Sequence, residues 1–405
     1  MKINRKPRIC RLIFEFLPDR PGGSVTHTIE LAKYMQPHLE KQYVLVPKTE
    51  ENVSELDRDF GFEVNRVNYY KFEYLHKLKA RYVKWLPLAP FLALSYGLFA
   101  IPRIMRINRK YGIDIIHAHG LSTGMIACIT GRLLRKPAVW TLHGTLESYS
   151  KISAIYERII TWLFRPDRAF VVDNGGPALS RFRELLAGDI LIPVFINIDP
   201  DKFLPKPADM ELSDRLKIGD KFVFISVHSL TPVQGVENAI LAFSEFLQFE
   251  NNPDAVLLVI GDNGQREYLE QLTRKLGMSD RIKFPGRIDN IQVPDYLSVA
   301  DVALSTSTRV NMNNSTIEAM ACGKPVIAFD CGNTSDRLIQ NMETGLFARS
   351  GDIHDLAAKM LKLYREPELR EKIGKQARQF IISHRTWERR IKTELEVYEK
   401  LLHGK

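Results

Sequence analysis

Cysteine is scarce in this chain of 405 residues: there are four, Cys10, Cys128, Cys322 and Cys331, and no two form a Cys-x-x-Cys pair. They lie mostly inside apolar segments, so a reducing cytosol is the expected setting and most of them read as small core hydrophobes. Long apolar runs are missing too. The longest uncharged stretch, residues 85–102, has 18 residues and includes Pro87, Pro90 and Pro102, short of the roughly 20 that a membrane span needs. The apolar run at 9–17 is broken by Arg11 and Glu15 and leads into Pro-Asp-Arg, which reads as a first strand and not as a secretory signal. A dinucleotide fingerprint is absent as well: Gly261-Asp-Asn-Gly264 has the wrong spacing and is expected to be a turn.

Acidic residues nearly vanish from one segment. Residues 71–110 hold nine basic side chains, Lys71, Lys77, Lys79, Arg81, Lys84, Arg103, Arg106, Arg109 and Lys110, against a single acid, Glu73. The net charge is +9, and residues 1–200 account for all of it, with 29 Lys and Arg against 19 Asp and Glu, while residues 201–405 carry 28 against 29. Two readings of the basic region 71–110 stand. Its apolar middle is a core helix flanked by solvated basic faces, or, with Tyr69, Tyr70, Phe72, Tyr74, Tyr82 and Trp85 beside the lysines, an interfacial element making peripheral contact with anionic lipid. No nucleic-acid-binding motif accompanies the charge, so nucleic acid is not an expected partner.

What the chain does have is alternation. Short apolar runs at 8–16, 43–46, 114–118, 138–142 and 169–172 read as strands, with Gly22-Gly23 and a helix at 26–35 after the first. The rhythm then restarts, with strands at 222–227, 255–260, 282–284, 302–304 and 326–329 and helices at 235–249, 266–276, 316–322 and 353–364. Such alternation predicts an α/β chain made of two doubly wound parallel sheets. Pro-rich sequence at 193–206 separates the two series, so the expected domains are 1–197 and 198–385, followed by an amphipathic helix over 386–405.

The densest signal lies at 299–345, where Val-Ala-Asp-Val-Ala-Leu-Ser-Thr-Ser is followed by an Asn-rich turn, Glu318-Ala-Met-Ala-Cys-Gly-Lys-Pro and Glu343-Thr-Gly. A helix opened by Asn313, Asn314, Ser315 and Thr316 leaves its first-turn amides without intrahelical acceptors at the positive end of the helix dipole, a seat for phosphate. Glu318, about one turn in, reaches a hydroxyl-bearing group beside that anion. In the first half, Gly22 and Gly23 follow the first strand, where glycine lets amides approach a phosphate or sugar, and His27 comes four residues on. His117 and His119 end one strand and alternate onto one face; His143 ends the next. Taken singly such histidines are structural. Three of them at the carboxyl ends of neighbouring parallel strands lie where α/β sheets take ligands, and the fold context speaks against a zinc site made from them.

In order and spacing, from Pro18-Asp-Arg-Pro-Gly-Gly23 through Glu318 to Trp387 and Tyr398, these motifs resemble the retaining glycosyltransferases of family 4 over nearly the whole chain. The resemblance implies the GT-B fold, two Rossmann-like domains facing a cleft, with the closing helix crossing back to the first. It implies a nucleotide-diphosphate sugar as donor substrate, with no other cofactor and no metal. Glu318 would hold the donor ribose and the amides at Asn314 to Thr316 its diphosphate; His119 would meet the transferred sugar near the reacting carbon, with His27 and His143 on the acceptor or sugar side. The implied acceptor is a glycan or lipid-linked molecule of cell-surface polysaccharide or glycoconjugate synthesis, and the implied location is cytoplasmic, peripheral on the inner membrane face.

The sequence departs from that pattern at the diphosphate. Where the family has an Arg and a Lys, this chain has Ser229 and Gln234, and Val310 stands where an earlier Glu pairs with the one at Glu318. Arg309 and Arg287 are the expected replacement charges, His228 adjoins the vacated position, and Asn311, Asn313 and Asn314 are expected to read sugar hydroxyls. The departures leave a second reading open, a non-catalytic GT-B protein that binds a glycan or a partner.

Overall fold

The computed structural model describes residues 5–14, 23–49, 54–69, 88–143, 151–173, 178–186, 188–249, 253–308, 313–331 and 339–403. Gly22, Arg309, Val310, Asn311 and the basic residues of 71–84 lie outside the described residues. Two compact units form: Met1–Asp173 with Pro177–Phe195 and Trp387–Lys405, and Ile196–Thr386 with Asn174–Gly176.

The first unit is built on seven parallel strands: β1 (Arg8–Ile13), β2 (Lys41–Pro47), β3 (Glu63–Val67), β4 (Ile115–His119), β5 (Ala138–Leu142), β6 (Arg168–Asp173) and β7 (Leu191–Phe195). Their spatial order is β3-β2-β1-β4-β5-β6-β7. The second unit has β8 (Phe222–Val227), β9 (Ala255–Ile260), β10 (Ile282–Gly286), β11 (Val302–Ser305), β12 (Val326–Asp330) and β13 (Leu346–Arg349), in the order β10-β9-β8-β11-β12-β13. Central strands β4, β5 and β9 are buried along their whole length, as expected when crossover helices cover both faces of a parallel sheet. In each unit the strand order reverses beside the first strand: β1 sits between β2 and β4, with Ile13 opposite His119, and β8 between β9 and β11. Parallel sheets take ligands outside the carboxyl ends of strands at such a reversal. His119 ends β4 there, and His228 follows β8.

Several elements differ from the sequence reading. The first strand stops at Ile13, short of 16. β3, β7 and β13 went unread: β3 interleaves polar residues as Glu-Val-Asn-Arg-Val, and β13 has only four residues. β7 contains Pro193, which had marked the segment as a linker. The strand pairs on one side only, along β6, and proline is tolerated on a sheet edge because no ladder donor is needed there. The uncharged run at 85–102 belongs to the helix Leu88–Tyr111. Tyr96, Ala100, Ile104 and Ile107 of that helix enter the core while Arg103, Arg106, Arg109 and Lys110 face solvent, so this part is a core helix with a solvated basic face. Among the described residues no helix is long and apolar enough to cross a membrane.

The closing helix Trp387–His403 completes the first unit. Its ring at Trp387 stacks on Tyr34 at 5.5 Å. Deeper in, the fully buried Glu394 accepts from Arg390 Nη2 at 2.6 Å and from Tyr398 at 2.9 Å, and lies 3.5 Å from Arg11 Nη2 on β1. Burial alone would push the Glu394 carboxyl up, but Arg390, His117, Arg11 and the Tyr398 hydroxyl outweigh it and hold it down at about 2. Replacing Glu394→Leu leaves two buried guanidinium groups without an anion, and should lower the unfolding free energy by about 3 to 5 kcal/mol. Urea unfolding of the full chain checks this; a loss below about 1 kcal/mol, the size of a solvated pair, would show that water already compensates these charges.

Candidate functional site

In the second unit the helix Asn314–Ala321 starts just beyond β11. Asn313 is its N-cap: the side-chain oxygen accepts from Thr316 N at 2.9 Å and also from the Ser315 and Thr316 hydroxyls at 2.8 and 2.9 Å. A cap of this kind satisfies one of the first-turn amides, and the helix start lies at the positive end of the dipole.

Glu318 sits one turn further on, nearly buried, and accepts from Asn290 Nδ2 at 3.1 Å; Lys202 Nζ in turn donates to Asn290 Oδ1 at 2.5 Å. Burial pushes its carboxyl up to about 7, while Asn290 and Lys202 pull the other way. Asn290 and Lys202 are not read from the sequence as site residues, since they lie in separate loops that meet only in the folded chain.

The loop that would hold the diphosphate clamp is firmly placed even though its charges are gone. Ser229 is exposed, and Gln234 is half-buried in the short helix Pro232–Gln234 with its Oε1 buried and unpartnered. Ser307 Oγ donates to Val233 O at 2.8 Å, and Thr306 Oγ1 to Gln234 O at 3.4 Å. Gly235 lies at φ +62, and a Cβ there would come within 2.2 Å of Thr306 O, so the loop can press against the end of β11 only with glycine. Arg287, expected as a replacement charge, is exposed at the end of β10; Arg309, the other, lies outside the described residues.

His228 does lie against the helix start. Its Nε2 donates to Leu304 O at 3.4 Å, and its Nδ1 is 3.3 Å from Ser315 Oγ and 3.5 Å from Asn313 Nδ2. Burial lowers this imidazole to about 4.

In the first unit the predicted histidines gather as a stack. The His117 and His119 rings are 4.8 Å apart, His119 and His143 5.9 Å, His143 and His27 5.5 Å, and His27 and Trp387 4.9 Å. Gly23 opens the helix Gly23–Met35 that carries His27. His117 Nδ1 lies 2.6 Å from the Tyr398 oxygen and 3.1 Å from Arg11 Nη1, and its Nε2 lies 2.7 Å from Thr141 Oγ1, while Tyr398 donates to Glu394 at 2.9 Å. Arg11 Nη1 donates to His119 Nε2 at 3.2 Å. Burial lowers His27, His117 and His119 well below the usual imidazole range and His143 to about 4, with neighbouring cationic groups adding to the effect. Both His27 ring nitrogens are buried with no hydrogen-bond partner.

Comparison with known proteins bears on both units. The family model described as Glycosyltransferase Family 4 matches residues 21–174, and that described as Glycosyl transferases group 1 matches residues 210–380. N-acetyl-alpha-D-glucosaminyl L-malate synthase of Bacillus anthracis is 24% identical over 325 residues, 79% of this chain and 81% of that protein. Alpha-monoglucosyldiacylglycerol synthase of Acholeplasma laidlawii is 25% identical over 303 residues, 68% of this chain and 73% of the relative. Among solved structures, Anabaena Alr3699/HepE in complex with UDP matches with a TM-score of 0.76 at 19% identity, covering 96% of this chain and 100% of that one.

The raised carboxyl of Glu318 has a stability signature. Its folded value, about 7, lies above the ordinary 4.5, so the folded chain holds this proton more tightly than the unfolded one. That contribution is complete below pH 4.5 and is lost as the pH rises through 7. Glu318→Gln has no such loss, so it should gain on the parent by up to about 3 kcal/mol between pH 5 and pH 8. Urea unfolding at the two pH values measures it; an identical difference at both would mean that the carboxyl ionises as freely as in water.

Proposed function

The chain belongs to glycosyltransferase family 4 and has the GT-B fold of two Rossmann-like parallel-sheet domains, and from that premise we propose that it is a retaining hexosyltransferase using a nucleotide-diphosphate sugar. One observation carries the reading. The start of Asn314–Ala321, at the positive end of the helix dipole, lies at the strand reversal β8/β11, and Glu318 follows it by one turn on the same helix. Glu318 is assigned to the ribose hydroxyls and the amides to the diphosphate. The UDP in the Alr3699/HepE complex supports a nucleoside diphosphate as the leaving group.

In the proposed transfer the bond from the anomeric carbon to the diphosphate breaks while the acceptor oxygen attacks on the same face, and no side chain is needed as nucleophile. The charge that develops on the diphosphate is met by donors already in place, which is where preorganised electrostatics act most strongly. His119, with His27 and His143, is assigned to the sugar and acceptor side. The acceptor class proposed is a glycan or lipid-linked molecule used in polysaccharide or glycoconjugate synthesis.

A peripheral membrane location is part of the proposal, and a described surface supports it. The helix Lys151–Leu163 turns Ile155, Ile159, Trp162 and Leu163 outward, Trp162 being 76% exposed, with Leu133 also exposed nearby in the chain's preceding helix. Arg132, Arg135, Arg158 and Arg165 flank them in sequence and are exposed, a combination suited to an anionic lipid surface. Cosedimentation with vesicles containing phosphatidylglycerol should retain the chain at low salt, and Trp162→Glu with Ile159→Glu should release most of it; equal retention of the double variant would remove this face from the proposal.

Ser229 and Gln234 favour the second reading, a protein that binds without catalysis, because both replace cations. Two measurements decide. In a thermal-shift screen of nucleotide sugars, a matched donor at 100 times its dissociation constant should add about 2.7 kcal/mol of apparent stability, and Glu318→Ala should abolish the shift. Slow donor hydrolysis without acceptor is then expected of a transferase; a donor that binds yet survives prolonged incubation with a panel of acceptors would establish the non-catalytic reading.

A further inference from the structure

Among the described residues at the helix start, the imidazole of His228 is able to become charged. We propose that His228 is the switchable cation of the donor site: its Nδ1 takes up a proton from solvent as the donor's diphosphate settles on the first turn of Asn314–Ala321, standing in for the fixed charges absent at Ser229 and Gln234. The inference rests on the donor-site reading above and adds to it a residue and a proton.

The geometry around the ring carries the argument. Nε2–H is committed to Leu304 O on β11, so the exchangeable position is Nδ1. That nitrogen lies 3.3 Å from Ser315 Oγ, whose single hydrogen serves either it or Asn313 Oδ1 at 2.8 Å, and 3.5 Å from Asn313 Nδ2, the outer limit of a hydrogen bond. The neutral Nδ1 is therefore only weakly served. A proton on it turns the ring into a donor to the Ser315 oxygen and to an anion seated at the helix start.

The backbone that carries the ring is also held in place. Gly261, at φ +135 after β9, packs so closely that a Cβ there would lie 1.8 Å from the His228 carbonyl oxygen, and the His228 amide donates to Ile260 O at 3.0 Å. Among the described residues the groups facing the imidazole are the Leu304 carbonyl, the Ser315 hydroxyl and the Asn313 amide, all neutral. Arg309 lies outside the described residues. Burial lowers the ring to about 4, with the Leu304 carbonyl pulling the other way, so it is neutral at physiological pH until an anion arrives.

Donor binding then links to two protons of opposite sign. Glu318, at about 7, loses its proton to receive the ribose, and His228 gains one to meet the diphosphate. A single linked proton changes affinity tenfold per pH unit in the window where the free and bound forms differ.

The test is isothermal titration of the full chain from pH 5 to pH 8.5 with UDP-glucose, GDP-mannose, ADP-glucose and UDP-N-acetylglucosamine, whose diphosphates do not titrate in this range. For the donor that binds, the two protons should cancel between pH 5 and 7 and leave affinity level, and above pH 7 affinity should fall by up to tenfold per unit. His228→Gln, which keeps an amide able to reach Leu304 O, should convert this to a profile that rises up to tenfold per unit to pH 7 and is level above it. At pH 6, titration in two buffers of different ionisation heat should show the variant releasing about one proton more than the parent. A parent profile that already rises to pH 7 and then levels overturns the role of His228, and it does so without the variant. If none of the four donors binds at any pH, the donor-site reading beneath the proposal is what fails.

Discussion

A carboxylate shared by two guanidinium groups holds the first unit together. Glu394 lies among Arg11, Arg390 and Tyr398 with no exposure to solvent, and no member of the group is tolerable there alone, since an unpaired ion in a dry interior costs several kcal/mol. Because Arg11 belongs to β1 and Glu394 to the helix Trp387–His403, satisfying the charge requires that helix to dock in one register. The same cations help to keep His117 and His119 neutral, so the docked helix also sets the protonation of the histidine stack.

This group shows what the sequence could not convey. Arg11 reads as an interruption of an apolar run, which is the normal meaning of a charge in a strand. Its burial is intelligible only with Glu394 and Tyr398, more than 380 positions away, and no local period or spacing links them. By contrast the helix at Asn314–Ala321 was legible almost to the residue, because capping is local chemistry: Asn313 must supply an acceptor three residues ahead, and it does. The doubly wound rhythm was readable for the same reason in the central strands, whose continuous apolar character follows from burial on both faces. The edge strands β3, β7 and β13 escaped because an edge needs neither continuous hydrophobicity nor a full set of ladder donors. Glu318 is singled out in the sequence by its motif, while Asn290 and Lys202, which bear on its carboxyl in the structure, come from loops whose meeting depends on the folded chain.

The two units treat charge in opposite ways. One buries fixed ions and matches them internally. The other places dipoles, hydroxyls and an uncharged imidazole at the start of the helix Asn314–Ala321. In the donor site proposed there, long-range attraction for a ligand would be small and selectivity would rest on close hydrogen-bond geometry more than on steering.

The chain crosses from the first unit to the second near Ile196 and returns at Trp387, and the segments beside these crossings are tied together, Ile198 N donating to Arg385 O at 2.8 Å and Asn197 Nδ2 to Thr386 O at 3.0 Å. On a ribosome this arrangement reverses the usual sequence in which the part made first folds first. The strands of the second unit, β8 to β13, are all made before Glu394 and Tyr398, for which Arg11 and His117 must wait. The earlier-made sheet is therefore finished after the later one, and until then its central strand carries an arginine without its carboxylate.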